Sequence, residues 1–361
     1  MTPKPFSQLV KLTLPLLVFV LLISACTPGA ILQDTITPPA PTAMISDWYT
    51  VYFTDPTSPT ANSYRGGIDE NLTAAIDQAR ISVDVGIYDL NLWSICDALI
   101  NAHRRGVTVR MVTDSDNMDE QEIQELKDAG IEVLGDRQEG LMHDKFVVID
   151  RSEVWTGSMN FTTGGGYLDN NNLIRVRSSK LAEDYQLEFE QMFLDDQFGP
   201  SKAPRTPNPT ISVNGSLIEV YYSPQDGTLE HILEVVNAAQ ESIYFLAYSF
   251  TSDELAAALI EQAKLGVTVR GVFDKDQYHS NQGTEFDNLL NAGLDVHLDG
   301  NPRLMHHKVI IIDEQIVITG SYNFSNNAEQ NNDENTLIIH NPEIAAAFMR
   351  EFQQIYELSQ R

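Results

Sequence analysis

The sequence predicts an α/β protein of two tandem homologous domains, each a mostly parallel or mixed sheet with helices on both faces. Three observations predict it. Apolar, β-branched runs alternate with amphipathic helical stretches, the pattern of a layered α/β domain. Whole segments recur: "ARISVDVGIYDL" from Ala79 answers "AQESIYFLAYSF" from Ala239, and "GVTVRMVTD" from Gly106 answers "GVTVRGVFD" from Gly266. Finally, "LMHDKFVVID" at 141–150 returns as "LMHHKVIIID" at 304–313, which sets His143 and His306 163 residues apart. A period this long marks a duplicated domain, not a solenoid unit.

The elements follow in order. Lys4 and Lys11 frame the start of an apolar run from Leu12 to Ile23, which is short for a membrane span. Small residues Ser24 and Ala25 then lead to Cys26. "ISAC" resembles the lipobox of bacterial lipoproteins, in which the chain is cut before a cysteine that becomes lipidated. That resemblance implies removal of residues 1–25, a lipid on Cys26, and an extracytoplasmic place in the bacterial cell envelope, anchored to a membrane. Residues 26–46 are rich in proline and threonine and read as a tether. The first domain is expected over 47–198, a linker "GPSKAPRTPNPT" over 199–210, and the second domain over 211–361.

Within the first domain, "SVDVGIY" and "GVTVRMVTD" predict strands, with the helix "NLWSICDALINAHRR" between them. A second helix, "DEQEIQELKDA", stops at Gly130. "IEVLGD", "KFVVID" and "EVWTGS" predict three further strands. Cys96 falls on the helix face shared by Leu92, Leu99 and Ile100, so it reads as core. With Cys26 lipidated, no intrachain disulfide is expected. The net charge of −28 opposes polyanions and shows no basic footprint, which disfavours nucleic acid as a partner.

In a strand, residues i and i+2 share a face. His143 and Lys145 therefore lie together, as do His306 and Lys308, at the head of runs apolar on both faces. A lysine at the edge of such a buried strand is costly unless an anion pairs with it. Both halves continue with Gly157, Ser158, Asn160, Phe161 and Gly320, Ser321, Asn323, Phe324. Three other features carry less. His307 points away from His306 in a strand and is a poor metal co-ligand. "DSDNMDEQEIQE" from Asp114 lacks the glycine of a calcium loop and reads as a solvated acidic loop. "TTGGGYLD" at 162–169 reads as a flexible rim loop.

The doubled H-x-K-x-x-x-x-D motif, each followed by G-S-x-N, resembles the signature of the phospholipase D superfamily over roughly residues 46–361. The resemblance implies two halves packed face to face around one active site. It further implies phosphodiester substrates, lipid or nucleic acid, with no cofactor and no metal, and a monomer sufficient for activity. Chemistry explains the doubling. A neutral imidazole can attack an anionic phosphodiester and form a phosphohistidine. A second, protonated imidazole gives the leaving alkoxide its proton. Lys145, Lys308, Asn160 and Asn323 would cradle the non-bridging oxygens. The resemblance further implies that Glu334 of "NNDENTLII" reaches His143, and that Asn171 of "LDNNNLIRV" contacts His306. His143 is then the nucleophile and His306 the general acid. Asp150 and Asp313 are expected to be structural, with Ser158 and Ser321 in support. The expected activity is phospholipid head-group hydrolysis, with a surface nuclease or a non-catalytic phosphodiester-binding protein as alternatives.

Overall fold

The computed structural model describes residues 44–361; Cys26, the signal-like segment and nearly all of the tether lie outside the described residues. Among the described residues two eight-stranded sheets repeat one topology. Across the first sheet the order is Met44–Ile45, Tyr49–Phe53, Asn172–Arg177, Glu153–Gly157, Lys145–Ile149, Ser82–Ile87, Thr108–Thr113, Glu132–Gly135. Across the second it is Thr210–Val213, Ser216–Ser223, Glu334–His340, Ile316–Gly320, Lys308–Ile312, Ser242–Ala247, Thr268–Phe273, Asp295–Leu298. The last three strands of each series run parallel to one another and the rest pair antiparallel, so both sheets are mixed. Among the described residues no helix is long and apolar enough to cross a membrane.

Each motif strand sits centrally and is buried on both faces, as its unbroken apolar run requires. Phe146 and Val148 point to one core while Val147 and Ile149 point to another. Val309 and Ile311 share the core of Phe146, and Ile310 and Ile312 point to a third. The two outer cores are private to one half each, roofed by helices such as Trp93–Arg104 and Asp253–Lys264. The middle core is common property. It packs the long helices Ser179–Phe193 and Pro342–Ser359 together with strands of both sheets. Cys96 is fully buried in the first outer core.

Two segments depart from expectation. "TTGGGYLD" is not a free rim loop: Gly164–Leu168 forms a π-helical turn with Gly165, Gly166 and Tyr167 buried. The segment between the halves is pinned by Lys202, which is buried between Glu188 and Asp333.

Candidate active site

The strands Lys145–Ile149 and Lys308–Ile312 begin two residues after their histidines, and the approach to each is tied to the opposite half. His143 N–H donates to Asp333 O (3.0 Å) and Asp333 N–H to Leu141 O (2.9 Å). His306 N–H donates to Asn170 O (2.9 Å) and Asn170 N–H to Leu304 O (2.8 Å). Each histidine is thus laid beside the residue that precedes the other half's candidate partner. A carboxylate steadies each approach: Asp114 accepts from Met142 N–H (3.2 Å) and Asp274 from Met305 N–H (2.8 Å). Asp114 is almost fully buried, so it does not belong to a solvated loop.

The rings then meet their partners across the interface. His143 Nδ1 lies 2.8 Å and 2.9 Å from the two Glu334 carboxylate oxygens. His306 Nδ1 lies 2.9 Å from Asn171 Oδ1. With Nδ1–H donating in both, each Nε2 is left as the nitrogen available to a ligand. Lys145 Nζ donates to His143 O (2.7 Å) and Lys308 Nζ to His306 O (2.8 Å), and each ammonium lies over a ring, Tyr88 or Tyr248. All four groups are buried.

Burial dominates the proton affinities. It pushes His143 down to about 4, with Glu334 pulling upward and Lys145 adding to the fall. Burial, then Lys308 and Lys145, holds His306 well below its ordinary value. Burial lowers Lys145 to about 8 against the pull of Glu334. Burial and Lys145 together push Lys308 well below the usual lysine range. Lys145 and Lys308 both lower the proton affinity of the two histidines, and an oxyanion held among these groups would offset that.

Gly157 and Gly320 have φ of 148° and 151°, and a Cβ there would meet the carbonyl oxygen of Asn172 at 2.4 Å or of Asn335 at 2.1 Å. Only glycine lets these carbonyls, one residue past Asn171 and Glu334, come so close. Ser158 Oγ donates to Asn171 Oδ1 (2.9 Å) and accepts from Asn172 N–H (3.1 Å). Ser321 Oγ accepts from Asn335 N–H (2.9 Å). Asn160 and Asn323 each keep a buried amide oxygen without a partner among the described residues. Turning either amide would put its nitrogen there instead, so both are available to a bound oxyanion.

Asp150 and Asp313 are away from this chemistry. Each sits at positive φ (52° and 50°) in the tight turn that follows its strand. Asp150 accepts from the N–H groups of Arg80, Ile81 and Ser82. Asp313 accepts from those of Gln240, Glu241 and Ser242. They lock the turn to the neighbouring strand.

Sequence reasoning missed a second layer. Thr156 Oγ1 bonds the Asn335 amide (2.9 Å) and Thr319 Oγ1 the Asn172 oxygen (3.0 Å), both across the interface. Tyr88 and Tyr248, beside the histidines, were missed as well. A signal existed for some of these: Asp114 and Asp274 end matching repeats, and Asn172 and Asn335 follow the candidate partners in both halves. His307 bonds Asn172 (3.0 Å) and Glu351 (3.2 Å). Among the described residues there is no cluster of metal-binding side chains.

Beside Asn160 opens a cleft of about 570 Å³ lined by Asp89, Trp93, Glu122, Asp169 and Arg303. A hollow of about 680 Å³ near Leu229 and Glu254 contains no part of the histidine constellation.

A family model described as cardiolipin synthase, PLD-like domain, matches residues 72–193 and 232–356, once in each half and over most of the chain. The chain belongs to the phospholipase D superfamily. Relatives in this superfamily include a phospholipase D from Rickettsia bellii, 32% identical over 161 residues, which cover 43% of this chain and 80% of the relative. A mitochondrial cardiolipin hydrolase from Chlamydomonas reinhardtii is 30% identical over 137 residues, 38% of this chain. The chain spans only 61% of that relative's length. The fold is shared with phosphatidylserine synthase from Haemophilus influenzae Rd KW20, at a TM-score of 0.63 and 15% identity over 87% of each chain.

Proposed function

We propose that this protein is a phosphodiesterase that works through a phosphohistidine on His143 and hydrolyses the head groups of phospholipids. One observation carries the reading: two imidazoles from separate halves are each held at Nδ1 by an acceptor of the opposite half, His143 by Glu334 and His306 by Asn171. That arrangement orients both Nε2 atoms and differs only in charge.

His143 Nε2 attacks phosphorus, the bond to the leaving alkoxide breaks, and His306 gives that alkoxide its proton. Water then attacks phosphorus, His306 takes the water's proton, and the P–N bond breaks to release His143. Glu334 stabilises the imidazolium that attack creates on His143. The general acid must be charged, and burial, then Lys308 and Lys145, oppose this. A bound phosphodiester anion offsets Lys145 and Lys308 and so favours the protonated His306. The two lysines and the free amides of Asn160 and Asn323 would hold the non-bridging oxygens.

Lipid as substrate draws support from relatives named for phospholipase D and cardiolipin hydrolase. The net charge of −28 and the carboxylates of Asp89, Glu122 and Asp169 along the cleft oppose a polyanionic strand. A lipid on Cys26 would hold the enzyme at a membrane of the cell envelope, outside the cytoplasm, and raise its local substrate concentration. The test uses the full chain and its His143→Ala variant in EDTA. Both are offered zwitterionic and anionic phospholipid vesicles, and single- and double-stranded DNA. Head-group release that the variant loses is the expected result. DNA cleavage without lipid turnover overturns the substrate assignment, and binding without cleavage of either overturns the enzymatic reading.

A further inference from the structure

The residues behind the two histidines differ more than the histidines do. After His143 comes Asp144; at the matching place after His306 comes His307. His307 is satisfied by Asn172 and by Glu351 from the helix Pro342–Ser359. The corresponding residue to Glu351 in the first half is Glu188, and the residue before Glu334 is Asp333 where the first half has Asn170. One side therefore gathers three buried acids, Asp144, Glu188 and Asp333, where the other has a histidine, one acid and an amide.

The missing positive charge arrives from outside both sheets. Lys202, in the segment that reads as a plain linker, is buried with its ammonium 2.7 Å from Asp333 and bonded to Glu188. Gly199 N–H of the same segment donates to Asp333 Oδ1 (2.7 Å). Gln138 Nε2 donates to the other oxygen (3.0 Å). Asp333 is also the residue whose backbone pairs with Leu141 and His143. We propose that Lys202, carried across from the segment between the halves, is a positioning residue for His143: by neutralising Asp333 it keeps the following residue, Glu334, on the ring.

Burial works against the Lys202 charge, yet Asp333 and Glu188 together hold the ammonium above the usual lysine range. Without it, Asp333 is a buried carboxylate with two neutral donors, next in chain to the carboxylate that serves His143. A buried charge left without its partner moves the backbone, takes a proton or draws water, and each outcome disturbs the Asp333–His143 pairing. The His306 arm is insulated from this, since Asn170 and Asn171 are neutral. The segment between the halves is therefore part of one catalytic arm and not of the other.

This role rests on His143 being the reacting ring, so the first readout avoids turnover. In the resting full chain, the His143 Nδ1 proton held by Glu334 is followed by low-field proton resonance, with the His306 Nδ1 proton as internal reference. Lys202→Met is expected to shift or abolish the His143 signal and leave that of His306. Lys202→Arg is expected to keep both, and Lys202→Met/Asp333→Asn, which removes along with the ammonium the carboxylate that precedes Glu334, to recover the His143 signal. In turnover, Lys202→Met lowers kcat about tenfold with KM retained. A Lys202→Met enzyme with an unmoved His143 signal and unchanged kcat overturns the proposal. So does one that loses both histidine signals together, which would make Lys202 a folding residue alone. Where Lys202→Met fails to fold, the double variant decides: a His143 signal at its usual position supports the role, and its absence beside an intact His306 signal overturns it. A chain that turns over no phosphodiester refutes the proposed function, while the resting signals still decide the role of Lys202.

Discussion

His143 meets a carboxylate, Glu334, and His306 meets an amide, Asn171, across otherwise matching frames. Both halves keep the residues that shape the backbone: Gly157 and Gly320, Ser158 and Ser321, Asp150 and Asp313, Asp114 and Asp274. They diverge where a side chain sets proton affinity. Duplication has preserved geometry twice and spent its freedom on charge, so that two copies of one imidazole can do different work.

The largest effect that would break this comparison is a covalent one. His143→Ala should lower turnover by roughly 10⁴-fold and abolish phosphoenzyme. His306→Ala should lose as much with a lipid substrate but still form phosphoenzyme from a diester with a good leaving group, which needs no acid. Rapid-quench trapping checks both, and phosphate found on His306 would invert the assignment. Next in size, Glu334→Gln should cost about 10- to 100-fold in kcat. Asn171→Gln, which keeps an amide on His306, should cost less. Steady-state kinetics of the two variants would erase the asymmetry if they proved equal.

A smaller effect sharpens the role of the lysines. Burial leaves Lys145 with a pKa of about 8, so its charge is present below that pH and lost above it. Substrate binding should weaken, and KM should climb, as the pH rises past about 8, with kcat less affected. A KM that stays flat to pH 9.5 would remove Lys145 from phosphate binding. The smallest effect concerns the aspartate of the motif. Asp150→Ala removes the acceptor of three backbone N–H groups and should cost about 2 kcal/mol of stability. That corresponds to a fall in Tm of about 2–4 °C with kcat unchanged, measurable by calorimetry alongside the assay.

The strands, their order of appearance and the doubled motif were legible because burial on both faces writes long apolar runs, and because each half repeats the other. The histidine, lysine and asparagine side chains stood out against those runs as polar groups with no structural reason to be there. Glu334 and Asn171 were reachable only through family resemblance, since nothing in local periodicity joins residues 191 positions apart. Thr156 and Thr319 look like ordinary strand residues, and their partners across the interface exist only once the sheets are packed. Lys202 was hidden by its setting. A proline-rich segment reads as a spacer, and one lysine within it carries no periodicity to mark it as buried. The glycine run at 164–166 misled for the related reason that composition signals freedom of the backbone, while Tyr167 anchors it.

The shared middle core has a consequence for the chain as a polymer. Phe146 and Tyr185 of the first half lie in one apolar layer with Val309 and Phe348 of the second. A break in the segment between the halves, anywhere from Ala203 to Pro209, would not liberate two independent bodies. It would produce a complementation pair, each fragment exposing an oily face that only the other fits, and catalysis would then become second order in fragment concentration.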